Sequence, residues 1–563
     1  MTSSAKKIIE RFETRRAERS ALDQLWEEIA EVLSPERIGF TSKTVNNQSV
    51  RRTTKIYDTT PILAKRGLVN ALGSMMRPKS SAPGKWFDIV PENEDLMSNR
   101  AVKEWVDFAE GRMWRALYNP KARFIQVTGE CDDDLITFGT GAGFVGTNKD
   151  EDGLLFRSFH LAGVYLDADD QNEISGVFLL EKLTPIQAAE RWGKENLGRK
   201  TLEAMENPRP DETKKFDFIW CVKNRNAFDP RYGGARNMPI ESIVVDKDSE
   251  HIVEEGGYEE FPFFLPRWDT RSMELYGRGP GVLALPSVLT LNQMGKTMLR
   301  GLHRAVAPPW LLPADSTVNA PQLVPDGVTY YDAKAVRNIG LSNPFIQMES
   351  RGNIPWGLNA QEAEREQIHG LFFRNVLNLP IDSPQMTATE INARREEFIR
   401  EVGGVFGKLE NSYTQPIIER VFNIMMRRGA FGDVTEIPEE LQGQSITFRF
   451  ASPVEKAKRQ IEEQMISESV NKVLTIGQVQ PSVMTPYNWE EIGKYIAESN
   501  DFPTKLTYSN EELEQVKEAQ AQQQQQEQAM QMMERGAGMI GQLPAGAMEG
   551  GGGGEQIEEA IPA

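Results

Sequence analysis

Only two cysteines occur among the 563 residues, Cys131 and Cys221, and neither has a CxxC partner. That excludes a disulfide framework, a zinc ribbon and a cysteine-ligated iron–sulfur site, and it fits a reducing compartment such as the cytoplasm. Histidine is equally scarce: His160, His251, His303 and His369 show no zinc-type spacing. No run reaches the roughly 18 apolar residues of a membrane helix, and Lys6-Lys7-Ile8-Ile9-Glu10-Arg11-Phe12 breaks into charge where a signal peptide needs an apolar core. Neither a membrane segment nor an export signal is expected. A basic excess is missing as well. Lys and Arg number 64 against 82 Asp and Glu, and residues 501–563 alone carry 11 acidic and 3 basic side chains, which leaves the first 500 at only −10 of the total −18. Non-specific DNA affinity comes mostly from Lys and Arg releasing phosphate counterions, so tight wrapping of DNA is disfavoured while passage of DNA is not.

What is present is length enough for about four domains and a mixture of helical and strand-like patterning. Residues 5–33 place Ile8, Phe12, Leu22, Trp26, Ile29 and Leu33 at helical spacing ahead of Pro35. Helices are also expected from Asp58 to Met76, and after Ser98 as N-cap to the stop at Asn119-Pro120. Gly163–Asp167 and Gly176–Leu180 flank a polar turn and predict a β-hairpin, followed by a short helix from Thr184-Pro185 to Gly193. Strand-like runs occupy Phe216–Val222, Ile240–Val245 and Phe261–Trp268. Next come a long helix Leu283–Val306, a Pro/Gly-rich stretch with a strand at Gly327–Tyr331, and a helix Asn359–Leu377. A break with two prolines, Asn378–Met386, precedes the capping box Thr387-Ala-Thr-Glu390, which opens a helix that Pro416 should kink and Gly429 close. Ser452-Pro-Val-Glu455 and Ser509-Asn-Glu-Glu512 open two more, and the last 25 or so residues, which include Gly550–Gly554, are expected to be disordered.

Motifs that suggest chemistry fail on spacing. Gly295-Lys296-Thr297 ends like a phosphate-binding loop, but the required upstream glycine is Thr290 and the segment is mid-helix. Gly139-Thr-Gly-Ala-Gly143 precedes strand-like sequence and is a turn. Asp167-Ala-Asp-Asp-Gln171 starts like a calcium loop, yet position six is Asn172 and position twelve Phe178. Cys131-Asp132-Asp133-Asp134 is explained by acidic residues in a helix's first turn. No Gly-x-Ser-x-Gly elbow occurs, and no catalytic, cofactor or metal residue is assigned. Lys296, Arg300 and Arg304, at i, i+4 and i+8, form one basic stripe.

The order of these parts resembles the portal, or head-to-tail connector, proteins of short-tailed, podovirus-type bacteriophages. The residues that carry the likeness are Tyr276-Gly-Arg-Gly-Pro-Gly-Val-Leu-Ala-Leu-Pro286 with Leu291-Asn292, and Met386-Thr-Ala-Thr-Glu-Ile391 with Arg394-Arg395-Glu396. Asp58-Thr-Thr, the Gly67–Met76 helix leading to Pro78 and Trp86-Phe87, and Phe138-Gly-Thr-Gly141 support it. The resemblance implies an α+β, predominantly helical portal fold with wing, stem, clip and crown/barrel regions, assembled as a ring. Residues 1–282 resemble the N-terminal wing, 283–307 the first stem helix, 308–356 the clip, 357–378 the second stem helix and 379–386 the tunnel loop. Residues 387–434 resemble the wing's long kinked helix, 435–508 the crown and 509–535 a barrel helix, ahead of a disordered tail at 536–563.

It further implies a homo-oligomer of twelve subunits at one capsid vertex, with double-stranded DNA in the channel for packaging and ejection. The partners implied are the terminase large subunit, the major capsid protein and scaffold, and then the tail adaptor or tail-tube proteins. The ring would be assembled in the host cytoplasm and carried in the virion, with no cofactor and no membrane. Pro380, Ile381, Asp382, Ser383 and Gln385 are the tunnel-loop candidates; lacking basic charge, they suit a steric valve. Lys296, Arg300 and Arg304 are candidates for DNA contact or for pairing with Glu362 and Glu366 on the other stem helix. The competing readings are a tail hub or adaptor ring, and a nucleotide-dependent enzyme centred on Gly295-Lys296-Thr297.

Overall fold

Period-two alternation builds the largest sheet, and burial on both faces explains why its strands read as nearly continuous apolar runs. In the computed structural model the residues described are 2–41, 56–77, 86–93, 96–97, 99–148, 153–206, 214–225, 228–229, 234–314, 324–332, 346–347, 354–374, 404, 407–432, 437–443, 446–450, 453–478, 480–499, 516–520, 522–523 and 526. Strands β4 (Val164–Ala168), β5 (Ile174–Leu183), β6 (Phe216–Asn224), β7 (Ile240–Asp246) and β8 (His251–Tyr258) form an antiparallel meander in that order. The expected hairpin is β4–β5, with Val164 opposite Leu179 and Leu166 opposite Val177. Val164, Leu166, Val177, Leu179, Phe218, Trp220 and Val244 point into the main core. Their alternates Tyr165, Phe178, Ile219, Cys221, Ile243 and Val245 meet Ala5, Ile8 and Phe12 of helix α1 (Thr2–Leu33).

Helix α1 therefore serves two cores, its first half capping the sheet and its second half sending Trp26, Ile29 and Leu33 into the main core. Arg19 fixes it between them. This buried guanidinium donates to the carbonyls of Leu161 (3.0 Å) and Ala162 (2.9 Å), pairs with Asp23 at 2.8 Å and lies 3.8 Å over the Tyr165 ring. The main core is built on helices α2 (Thr60–Met76), α3 (Arg100–Leu117) and α4 (Phe124–Phe138). The N-cap of α3 is Asn99, whose side chain accepts from the Ala101 amide, one residue beyond the expected Ser98, which lies outside the described residues. Helix α5 (Pro185–Trp192) keeps its expected ends, with a Thr184/Gln187 capping box and Gly193 as C-cap, and α6 (Arg199–Glu206) follows it.

Two small sheets close long loops. Strand β2 (Gly143–Thr147) pairs with β3 (Leu154–Ser158) and with β9 (Phe263–Phe264), and β1 (Phe87–Pro91) pairs with β13 (Ile446–Phe450). The second pairing returns the chain at 446–450 to the N-terminal part, where it meets Phe87–Pro91.

Helix α7 (Pro280–Val306) and helix α8 (Ile354–Leu371) bracket a three-stranded sheet of β10 (Trp310–Ala314), β11 (Val328–Asp332) and β12 (Ile346–Gln347), in the order β11-β10-β12. Both helices begin earlier than the sequence suggests, α7 because Gly279 is its N-cap and Pro280 fits the first turn. Helix α9 (Gln415–Arg427) follows a single π-helical turn, Glu410–Thr414, immediately before Pro416, and Gly429 (φ +64°) takes the left-handed position after it. Helices α10 (Pro453–Gly477) and α11 (Trp489–Ser499) come next and enclose an apolar cleft that Trp489 and Tyr495 line. The residues beyond 535 lie outside those described, and of 509–535 only 516–520, 522–523 and 526 are described, as helix.

Phe12 is fully buried between Tyr165 (ring centroids 5.0 Å apart) and Phe178 (6.3 Å). Phe12→Ala is expected to cost about 3–5 kcal/mol in denaturant unfolding. A loss below about 1 kcal/mol would mean that α1 is not docked on the sheet.

Candidate functional site

The paired helices α7 and α8 with their distal sheet are the feature that the rest of the chain positions. They run antiparallel: Gly357, early in α8, meets Met298, late in α7, while Arg365 and Asn292 both meet the segment Tyr57-Asp58. The Tyr57 amide donates to Asn292 Oδ1 at 2.7 Å. Asp58 Oδ2 takes Arg365 Nη2 at 2.9 Å and Nε at 3.1 Å, and its Oδ1 accepts from the Thr60 amide at 2.9 Å. Burial pushes the Asp58 carboxyl up, yet hydrogen bonds from Thr60 and the Arg365 charge hold it below the usual carboxylate range. One carboxylate thus ties the start of α2 to α8, and its neighbour ties it to α7.

The near end of α7 is fixed by glycine. Gly139 closes α4 at φ +92°, and a Cβ there would overlap the Gly277 carbonyl and the Gly279 amide. A Cβ on Gly279 would sit 2.7 Å from the carbonyls of Leu135 and Ile136. Only glycine allows this approach of backbone to backbone. The Gly277 amide donates to Thr140 Oγ1 at 2.8 Å, the Trp268 amide donates to the Gly139 carbonyl at 2.9 Å, and the Tyr276 hydroxyl accepts from the Leu166 amide at 2.9 Å. Two separate stretches of sequence that carry the portal resemblance, Phe138–Gly141 and Tyr276–Pro286, are therefore one contact in space.

Behind that junction lies a charged cluster that the sequence reading misplaced. Asp132, Asp133 and Asp134 sit in the C-terminal half of α4, not its first turn, because the helix already begins at Phe124. Each has its own cation: Arg77 for Asp132, Lys65 for Asp133 (2.8 Å) and Arg37 for Asp134 (3.0 Å). Arg77 also lies 4.6 Å over the Tyr413 ring, whose hydroxyl donates to the Thr128 carbonyl at 3.0 Å. Burial raises Asp132 despite Arg77, and it pushes Asp134 up to about 7, with Arg37 offsetting only part. Burial also raises the Cys131 thiol well above its ordinary value, so it is no nucleophile. His160 is pushed down to about 4 by burial and by Arg37; its Nδ1 accepts from the Ala162 amide, so Nε2–H donates to the Arg37 carbonyl at 3.0 Å. These groups are structural.

The remaining candidates fall as follows. Gly295 is buried against Tyr57, and the Thr297 hydroxyl donates to the Gln293 carbonyl within the same helix, so Gly295-Lys296-Thr297 forms no phosphate loop. The Asp167 carboxylate is held by Arg11 and Arg15 of α1. Among the described residues no group of three or more His, Cys, Asp or Glu is arranged to hold a metal ion, and no helix is long and apolar enough to cross a membrane. Lys296 is half-buried, 5.9 Å over the Tyr57 ring, while Arg300 and Arg304 are exposed. Glu362 and Glu366 are exposed on α8, and Glu362 pairs with Arg365 at 3.0 Å. Within one chain no ion pair joins Lys296, Arg300 or Arg304 to Glu362 or Glu366. Pro380, Ile381, Asp382, Ser383, Gln385 and the Thr387–Glu390 capping box lie outside the described residues.

The described residues thus form an α+β body from which the α7/α8 pair extends, with the Asp132, Asp133 and Asp134 carboxylates each paired to a cation. In comparison with known proteins, residues 5–507 match the bacteriophage head to tail connecting protein family, and the chain belongs to that family. It is 24% identical over 510 residues to the portal protein of Salmonella phage epsilon15, covering 89% of this chain and 88% of the relative. It is 25% identical over 497 residues to the probable portal protein of Bordetella phage BPP-1, covering 86% and 85%. The chain is a phage portal-type connector and not an enzyme.

A carboxyl whose folded value is raised binds its proton more tightly folded than unfolded. Its contribution to stability is complete below about pH 4 and is lost as the pH rises to about 7. Asp134→Asn is expected to leave the melting temperature at pH 4 nearly unchanged and to raise it at pH 8. A fall at pH 8 would show instead that the ionised pair with Arg37 stabilises the fold.

Proposed function

We propose that this chain forms a closed homo-oligomeric ring of about twelve copies. The ring occupies one capsid vertex, with double-stranded DNA passing through its centre during packaging and ejection. The segments 283–307 and 357–378, which carry helices α7 and α8, are its stem, the segment 308–356 between them its clip, and 379–386 the loop that narrows the tunnel. Wing segments 1–282 and 387–434 surround the stem, residues 435–508 form the crown, and residues 509–535 form the barrel helix. The terminase large subunit docks on the clip while DNA enters, and the tail adaptor or tail-tube proteins take its place afterwards. The major capsid protein and scaffold hold the wing. Assembly takes place in the host cytoplasm and the ring remains in the virion.

The observation that carries this reading is the match of nearly the whole chain to the head-to-tail connecting family, together with a helix pair that ends in a separate small sheet. Charge supports it too. A body of mild negative charge repels phosphate and lets a duplex slide, whereas a basic lining would hold it.

Deleting residues 319–343 removes strand β11 whole while sparing both helices. The variant is expected to form rings of wild-type mass in native mass spectrometry and to lose binding to the terminase large subunit. Loss of the rings themselves would contradict this division of labour.

A further inference from the structure

Helix α7 carries three basic residues, Lys296, Arg300 and Arg304, and no acidic one, while α8 carries Glu362, Glu364 and Glu366 against the single base Arg365. The two helices lie side by side, yet their charges do not meet within the chain. Arg300 and Arg304 stand exposed on one row of α7, and Glu362 and Glu366, at i and i+4, on one row of α8. The three cations span about 12 Å of helix rise and the two carboxylates about 6 Å, so a neighbouring acidic row fits inside the basic one.

A second feature lies beside the cations. The face of α7 that buries Ala284, Val288, Leu291 and Gly295 in the body continues outward as Leu299, Leu302 and Val306, which are 42%, 39% and 85% exposed. A DNA phosphate backbone would satisfy the arginines and leave these apolar side chains in water. Apolar side chains flanked by complementary charge are instead the make-up of a protein interface. The charge that complements α7 is present on this same chain, on a different surface.

We propose that the distal half of α7, through Arg300, Arg304, Leu299 and Leu302, packs against the Glu362/Glu366 face of α8 in a second copy of this chain. This rests on the ring reading above and names one of its contacts. Because two different surfaces meet, each copy offers the other half of the contact to a further copy, and a series of this head-to-tail kind closes as a ring where the rotation between copies divides a full turn. The charge pairs set register and orientation, and as partly exposed pairs they are screened within a Debye length of about 8 Å at physiological salt. The acidic row thereby neutralises arginines that would otherwise hold a passing duplex.

The test is a charge exchange in the full-length protein, read by native mass spectrometry and light scattering over a concentration series. Arg300→Glu with Arg304→Glu, and separately Glu362→Lys with Glu366→Lys, are each expected to raise the concentration needed for assembly at least tenfold. All four substitutions together are expected to restore it. Equal melting temperatures of the unassembled variants check folding, and the milder pair Arg300→Gln with Arg304→Gln should give an intermediate shift. Rings that ignore the reversals, or a fourfold variant no better than either pair, overturn the proposed contact and leave the ring reading standing. Intact rings with weakened binding of a duplex oligonucleotide reassign the stripe to DNA and likewise overturn it. A wild-type protein that never assembles overturns the ring reading itself.

Discussion

Backbone against backbone, with no side chain between, is how α4 meets the chain entering α7, and this contact sets the direction in which the helix pair leaves the body. Gly139, Gly277 and Gly279 make it possible, because any Cβ at these positions would strike a carbonyl or amide of the opposite segment. A side-chain contact at the same place could adjust by changing rotamer. A backbone contact has no such freedom, so the angle is held stiffly. The Tyr57-Asp58 bonds to Asn292 and Arg365 then hold both helices further along, and the same carboxylate caps α2. Two fixings at different heights resist swinging better than one.

The charged cluster around α4 plays its part from below. Helix α2 supplies Lys65, the residue just after it is Arg77, and Arg37 follows α1, so three separate segments are bound to Asp133, Asp132 and Asp134. Removing Asp132 from its pair with Arg77, which is buried on both sides, costs on the order of 3–5 kcal/mol, because the guanidinium is then left without compensation. The price in desolvation shows in the raised carboxyls of Asp132 and Asp134. Each acid is matched to one cation on one segment, so a slipped packing of α2 on α4 would strand the pairs of Lys65 and Arg77.

Local signals were legible in the sequence where the deciding residues are neighbours. The Thr184/Gln187 cap, Pro185, Gly193, the β4–β5 hairpin and the basic stripe of α7 follow from spacing alone. Strand β8 escaped because Glu254-Glu255-Gly256-Gly257 lacks apolar alternation; its pairing with β7 supplies what its composition does not. The β1–β13 pair joins short strands from opposite ends of the body, and the Asp58–Arg365 bond spans 307 positions, distances over which no periodicity carries information. The start of α4 at Phe124 carries no side-chain cap and no acidic residue, so nothing local marks it, and the acid run Asp132–Asp134 resembles a helix start that it is not. The glycines of Phe138–Gly141 and Tyr276–Pro286 stood out one by one, but that they touch each other is a property of the fold.

On the proposed ring, the body holds the α7/α8 pair at a fixed angle around a central passage. An electron-microscopic reconstruction of the purified, assembled protein tests this most directly. The expected result is a closed ring with an axial hole wide enough for a DNA duplex, its wall formed by Pro280–Val306 and Ile354–Leu371 of successive subunits. An assembly without an axial hole, or one with these helices on its outer wall, would contradict it.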